Sequence, residues 1–257
     1  MTLRTNTFEG NGTQADGTAI TAANSGGGTD NAFNFVGSSP EIDTAIVYNG
    51  SRAMRCPSGT TAHYVRWNGN NNANVSASIY VRFGSVAPAG AKPFLEFKTS
   101  GNAFIANLLM STGGRIFARD SASATVTGTD IAEHGVSANN WYRIDAACFV
   151  NTGNANAGRL SYRICDVQSA DTNTPITTAF DSGTTLTLGT TNIDRLHIGF
   201  PSGVAPNGDY NFDTVRCDDG VFELKDGLYV PTGPTTPWYV SDGTDLIPVN
   251  MYISDGV

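Results

Sequence analysis

Val75-Ser76-Ala77-Ser78-Ile79-Tyr80-Val81-Arg82-Phe83 alternates without a break. Val75, Ala77, Ile79, Val81 and Phe83 take one parity, and Ser76, Ser78, Tyr80 and Arg82 take the other. Successive side chains of a strand point to opposite faces, so this run predicts a strand with one buried face. The same reading holds for Trp141 to Val150, where Tyr142, Ile144, Ala146, Cys148 and Val150 should point inward and Arg143 and Asp145 outward. Asn151 to Gly158 is rich in glycine and asparagine, as a turn requires, and Leu160, Tyr162 and Ile164 mark the strand after it. Leu196, Ile198 and Phe200 mark another.

Further strands are expected at Thr61 to Trp67, Pro93 to Lys98, Ala103 to Met110, Arg115 to Arg119, Thr184 to Leu188, Tyr210 to Cys217 and Val221 to Leu224. No segment of ten or more residues carries a helical stripe. About a dozen short strands separated by turns predict an all-β fold: an antiparallel two-sheet jelly-roll sandwich, with the inner faces buried against each other. Asn24-Ser25-Gly26-Gly27-Gly28-Thr29-Asp30 lacks the strand-to-helix setting and lysine of a phosphate loop and reads as a flexible surface connection.

The carboxyl-terminal residues repeat. Tyr239-Val240-Ser241-Asp242-Gly243 returns as Tyr252-Ile253-Ser254-Asp255-Gly256, with Leu246-Ile247-Pro248-Val249 between them. A two-strand ribbon is marginal in water unless it packs on something larger. The expected division is a sandwich over residues 1–230 and a β-ribbon arm over 231–257, set off by Thr232-Gly233-Pro234-Thr235-Thr236-Pro237. Tyr239, Leu246, Ile247, Val249, Tyr252 and Ile253 form its apolar contact set, for oligomerisation or anchoring to an assembly. The alternative is a ribbon folded back on its own domain.

The 257 residues carry 15 lysines and arginines against 23 acids, a net charge of −8, which disfavours nucleic acid or an anionic membrane as partner. No run has the length of a membrane span, and the first residues lack the apolar core of a secretory signal, so the expectation is synthesis in a cytoplasm without a signal peptide. Cys56, Cys148, Cys165 and Cys217 form no C-x-x-C pair and read as free, packed thiols; a Cys148–Cys165 bridge would suit a hairpin but not a reducing compartment.

The order of Phe8-Glu9-Gly10, Gly50-Ser51-Arg52-Ala53-Met54-Arg55, Asn140-Trp141-Tyr142-Arg143-Ile144 and Phe212-Asp213-Thr214-Val215 resembles that of the concanavalin A-like and laminin-G-like jelly rolls, over roughly residues 1–230. With the Gly/Thr/Asn-rich composition and the Asp-Gly repeat of the tail, the whole is similar to virion proteins of tailed phages infecting actinobacteria. That resemblance implies a non-enzymatic minor tail or capsid-decoration protein located in the virion, contacting other virion proteins as a homo-oligomer, with a trimer among the cyclic states. A lectin-like head would contact host-surface glycans. The alternative is a polysaccharide-cleaving lyase or glycoside hydrolase of the same class.

Tests of the chemistry divide these readings. Glu41-Ile42-Asp43-Thr44-Ala45-Ile46 is a near miss to the E-x-D-x-x-E strand of jelly-roll glucanases, with Ile46 where the second glutamate belongs. Arg195-Leu196-His197 resembles the Q-x-H strand of a lyase family in its histidine alone, and the parity of His197 also suits a solvated outer face. A glycan platform needs an aromatic ring beside hydrogen-bonding groups: Trp67, Tyr80 and Arg82 supply them, extended by Arg143 and His197. No cofactor is indicated beyond calcium, for which Asp209, Asn211 and Asp213 alternate onto one strand face.

Overall fold

A computed structural model describes residues 2–10, 12–38, 40–84, 88, 90–167, 176, 179–201, 209–220, 238–241 and 246–249. The regular elements among the described residues are strands and one 3-10 turn, Ala132–His134. The strands are β1 (Leu3–Asn6), β2 (Phe35–Gly37), β3 (Glu41–Asp43), β4 (Ala53–Cys56), β5 (His63–Trp67), β6 (Asn74–Phe83), β7 (Lys92–Lys98) and β8 (Phe104–Met110). They continue as β9 (Ile116–Arg119), β10 (Trp141–Phe149), β11 (Arg159–Asp166), β12 (Phe180–Asp181), β13 (Arg195–Phe200), β14 (Tyr210–Asp219), β15 (Trp238–Ser241) and β16 (Leu246–Val249).

Two antiparallel sheets make a jelly-roll sandwich. The larger has eight strands in the order β12-β11-β10-β6-β14-β4-β3, with β1 also paired to β14; the smaller has six, in the order β2-β5-β13-β7-β8-β9. The chain crosses repeatedly between them, since β5 and β7 belong to one sheet and β6 to the other. The alternation explains this: Val75, Ile79, Val81 and Phe83 of β6 and Ile144, Ala146 and Cys148 of β10 meet Leu196, Ile198 and Phe200 of β13 and Leu95 and Phe97 of β7 in one buried cluster. Each large apolar side chain so buried contributes on the order of 1.5–3 kcal/mol.

Thr184 to Leu188 forms no strand. Only Leu186 bridges to Gly158, and a side chain at Gly158 would stand 2.6 Å from Leu188 Cγ, so this segment folds against the β10–β11 turn. The glycine-rich connection at 24–30 is pinned rather than loose: Asp30 accepts from Thr7 N and Oγ1 at 3.0 Å each, and Ser25 Oγ accepts from Phe33 N at 3.0 Å. All four cysteines are buried and free. Register separates the suggested pair, because Cys148 opposes Leu160 while Cys165 opposes Arg143 at the far end of the hairpin. The Val221 to Leu224 expectation lies outside the described residues.

The chain divides into two compact units, Met1–Lys225 and Asp226–Val257. In the second, β15 and β16 pair antiparallel, Val240 opposite Ile247. The side chains of Tyr239, Leu246, Ile247 and Val249, and all of Tyr252 and Ile253, lie outside the described residues.

Candidate functional site

The five glycan candidates do not share a surface. Trp67 is in the core, 1% exposed, stacked on Phe33 at 4.8 Å with its indole N–H donating to Ala32 O. Tyr80, Arg82 and Arg143 lie on the outer face of the eight-stranded sheet, whereas His197 lies on the outer face of the six-stranded one, across the sandwich. Arg143 points outward but is buried, because its Nε lies 3.2 Å from Asp145 Oδ2; Arg163 reaches the same oxygen at 2.9 Å and Ser78 donates to the other at 2.7 Å. Tyr80 is stacked beneath Tyr48 at 4.3 Å, and Arg82 donates to Asn139 O and Oδ1.

The calcium candidates have separate duties. Asp213 accepts from the backbone N–H groups of Tyr48 and Asn49, Asn211 donates to Asp43 at 2.8 Å, and Asp209 accepts from Ser58 N. Among the described residues no group of three histidines, cysteines or acids gathers as a metal site. Glu41 and Asp43 are structural too: Glu41 pairs with Arg55 at 2.8 Å, and Asp43 Oδ1 accepts from Ala45 and Ile46 N at 2.9 Å.

The six-stranded face is different. Cross-strand register places Phe35 (β2), Arg66 (β5), His197 (β13), Glu96 (β7), Asn107 (β8) and Arg119 (β9) in one line that crosses the whole sheet. Beside it run Arg195 and Lys98, paired with each other. At a strand spacing of about 4.8 Å, five intervals make the line roughly 24 Å long. Every member opposes an inward neighbour, as His197 opposes Leu196 and Ile198.

His197 is not solvated. It is 2% exposed, with the Tyr64 ring stacked parallel at 5.1 Å and Glu96 Oε2 at 3.7 Å from Nδ1; Lys98 Nζ approaches that carboxylate to 3.1 Å. Burial, then the charges of Lys98, Arg66 and Arg195, lower its pKa to about 3, so the imidazole is neutral. Burial and the Arg195 charge also lower the pKa of Arg66, whose guanidinium lies 4.4 Å over the Phe35 ring. Among the described residues, both nitrogens of His197, Asn107 Oδ1, and the Nε atoms of Arg66, Arg119 and Arg195 are buried without a hydrogen-bond partner. Native proteins rarely leave such atoms bare, and where they concentrate they mark a place for water or ligand. Next to them a pocket of about 240 Å³ is lined by Glu96, Asn107 and Arg119 on its polar side and by Pro93, Phe104 and Leu109 on its apolar side.

This face can hold carboxylates on Arg66, Lys98, Arg119 and Arg195, and hydroxyls on Asn107, Tyr64 and the imidazole. Arg66, Tyr64, Glu96, Asn107 and Arg119 escaped the sequence reading. The signal was present, since Tyr64 and Arg66 have the parity opposite to Val65 and Trp67, but adjacency between strands was not.

No family model matches the chain, and no curated protein matches it. Solved structures do. Cellulose induced protein Cip1 is similar with a TM-score of 0.51 at 10% identity, over 70% of this chain and 85% of that one. Alginate lyase Aly36B gives 0.50 at 13% identity over 86% and 98%, and the PL-14 alginate lyase from Aplysia kurodai gives 0.50 at 11% over 80% and 98%. At these identities the likeness is one of fold.

Proposed function

We propose that this chain is a carbohydrate-active jelly roll that binds an acidic polysaccharide, of the polyuronate class, along the outer face of its six-stranded sheet. The observation that carries the proposal is the line Arg66–His197–Glu96–Asn107–Arg119: four cations, counting Lys98 and Arg195, face one buried carboxylate, in a chain of net charge −8. Scattered surface charge on an acidic protein would not concentrate cations and bare hydrogen-bonding atoms on one face. Two proteins of similar fold are alginate lyases, and alginate is a polyuronate, which agrees with that charge. Titration calorimetry with alginate oligosaccharides and with neutral cello-oligosaccharides tests it. Salt-sensitive binding of the first and none of the second is expected; the reverse preference would refute it.

A second reading is cleavage by β-elimination, favoured by the neutral imidazole of His197 stacked on the ring of Tyr64, a base and an acid of the kind needed to exchange protons at a uronate. Against it stand the burial of His197 and its weak basicity. Appearance of the ultraviolet-absorbing unsaturated product decides. Location is a separate matter: we propose that residues 231–257 join the chain to copies of itself in a virion, which particle incorporation of a chain lacking them would test.

A further inference from the structure

At the β2 end, the line finishes on an aromatic patch. Phe35 is 40% exposed, one of three large apolar side chains so exposed among the described residues. Its ring stands 5.7 Å from that of Tyr64, which in turn stacks on His197. Tyr64 can lie across the sheet because both of its cross-strand neighbours are glycines, Gly37 and Gly199. A Cβ at Gly37 would fall 2.1 Å from Tyr64 Cε1, and one at Gly199 would fall 2.5 Å from His63 O. The two glycines therefore keep a low, level surface beside Arg66, where any other residue would raise a side chain through it.

We propose that Phe35 and Tyr64 form a stacking subsite for the apolar face of a pyranose ring, so that the favoured polymer is an equatorially linked, ribbon-like uronan rather than an axially linked, buckled one. The inference rests on the polyuronate reading above and adds to it a site and a stereochemical preference. An aromatic ring receives the C–H face of a sugar; Arg66, 4.4 Å over the Phe35 ring, covers one of its two faces, so the sugar would seat on the other, where its carboxylate can reach the guanidinium at the ring edge. In an equatorially linked chain successive rings form a flat strip, which can follow the level line from Phe35 toward Arg119. Axial linkages turn each ring across the chain and lift alternate sugars from the sheet.

The test compares oligomannuronate, equatorially linked, with oligoguluronate, axially linked, at equal length and charge. Wild-type protein is expected to bind the first about tenfold more tightly. Phe35→Ala should lower that affinity roughly five- to tenfold, leave oligoguluronate binding and the salt dependence unchanged, and lower the melting temperature by no more than about a few degrees, the share of its contacts with Arg66 and Tyr64, while Phe35→Trp keeps the affinity. Gly37→Ala, which displaces the Tyr64 ring without removing an aromatic group, should reproduce the loss in protein whose melting shows it folded. Equal binding of both oligomers with no effect of Phe35→Ala overturns the stacking subsite alone. Failure of both oligomers to bind overturns the polyuronate reading beneath it.

Discussion

The two outer faces of the sandwich are both rich in charge, and they use it in opposite ways. On the eight-stranded sheet each of the buried charges meets a partner, although Arg163 Nε and Asp218 Oδ1 make no hydrogen bond among the described residues: Asp145 holds Arg143 and Arg163 and accepts from Ser78, Arg216 pairs with Asp218 at 2.9 Å, and Asp213 holds the backbone at Tyr48 and Asn49. On the six-stranded sheet Arg66, Lys98, Arg119 and Arg195 outnumber Glu96 and Asp194, which lie 3.1 Å from Lys98 and 3.9 Å from Arg195, and a buried imidazole has neither nitrogen hydrogen-bonded among the described residues. A buried charge that is fully paired is scaffold, because its partner offsets the cost of leaving water. One left short of partners is a candidate for meeting them in a ligand.

The contrast can be broken most severely at Asp145. Asp145→Ala removes the shared carboxylate from Arg143 and Arg163, and should cost about 3–5 kcal/mol in urea denaturation, with oligosaccharide binding retained by the folded fraction. A binding loss larger than the stability loss would mean that the eight-stranded face belongs to the site.

Acid should act through the other face. His197 takes its proton near pH 6.5 when unfolded but only near pH 3 in the fold, so between those values the unfolded chain holds more protons. Stability contributed by the neutral ring is complete above pH 6.5 and is lost as pH falls, at up to about 1.4 kcal/mol per unit. Asp213, whose pKa burial raises to about 7, works in the opposite direction over the same range, so the His197 contribution is read by difference: from pH 7 to pH 4 the urea midpoint of the wild type should fall relative to that of His197→Gln.

Arg119→Ala sharpens the comparison from the side of binding. Its Nε has no hydrogen-bond partner among the described residues, so folding stability should change by less than about 0.5 kcal/mol, while affinity for an acidic oligosaccharide falls roughly tenfold with a weaker dependence on salt. Calorimetry and thermal melting on the same sample separate the two effects. The smallest change is expected from Arg159→Ala, which breaks the exposed pair with Asp181 at the edge of the eight-stranded sheet; a loss under about 1 kcal/mol, erased by salt, marks it as a surface pair.

Strand parity made much of the fold legible. The inward sets of β6 and β10 are in the core as the alternation of Val75 to Phe83 and Tyr142 to Val150 requires. Parity also put His197 and Arg143 outward, but could not separate an outward residue in water from one buried by its neighbours, and it could not see that these two belong to different sheets. Trp67 shows the same limit: an indole serves equally as a platform or as core, and its parity with Val65 decided for core. Thr184 to Leu188 alternates suitably, but its backbone bonds to the turns at Ala155, Gly158 and Ser121, and Leu186 alone forms a bridge.

Sequence by itself determined the all-strand character, the inner face of each long strand and the acidic balance, because a period of two and a net charge are local or additive properties. Tertiary structure alone decided that Phe35, Arg66, His197, Glu96, Asn107 and Arg119 stand in line. Those residues come from six strands spread over the 163 positions from Phe35 to His197, and their adjacency depends on which backbones pair and in what register. Pairing is settled by the packing of the two inner faces against each other, a collective condition to which no single segment holds the answer.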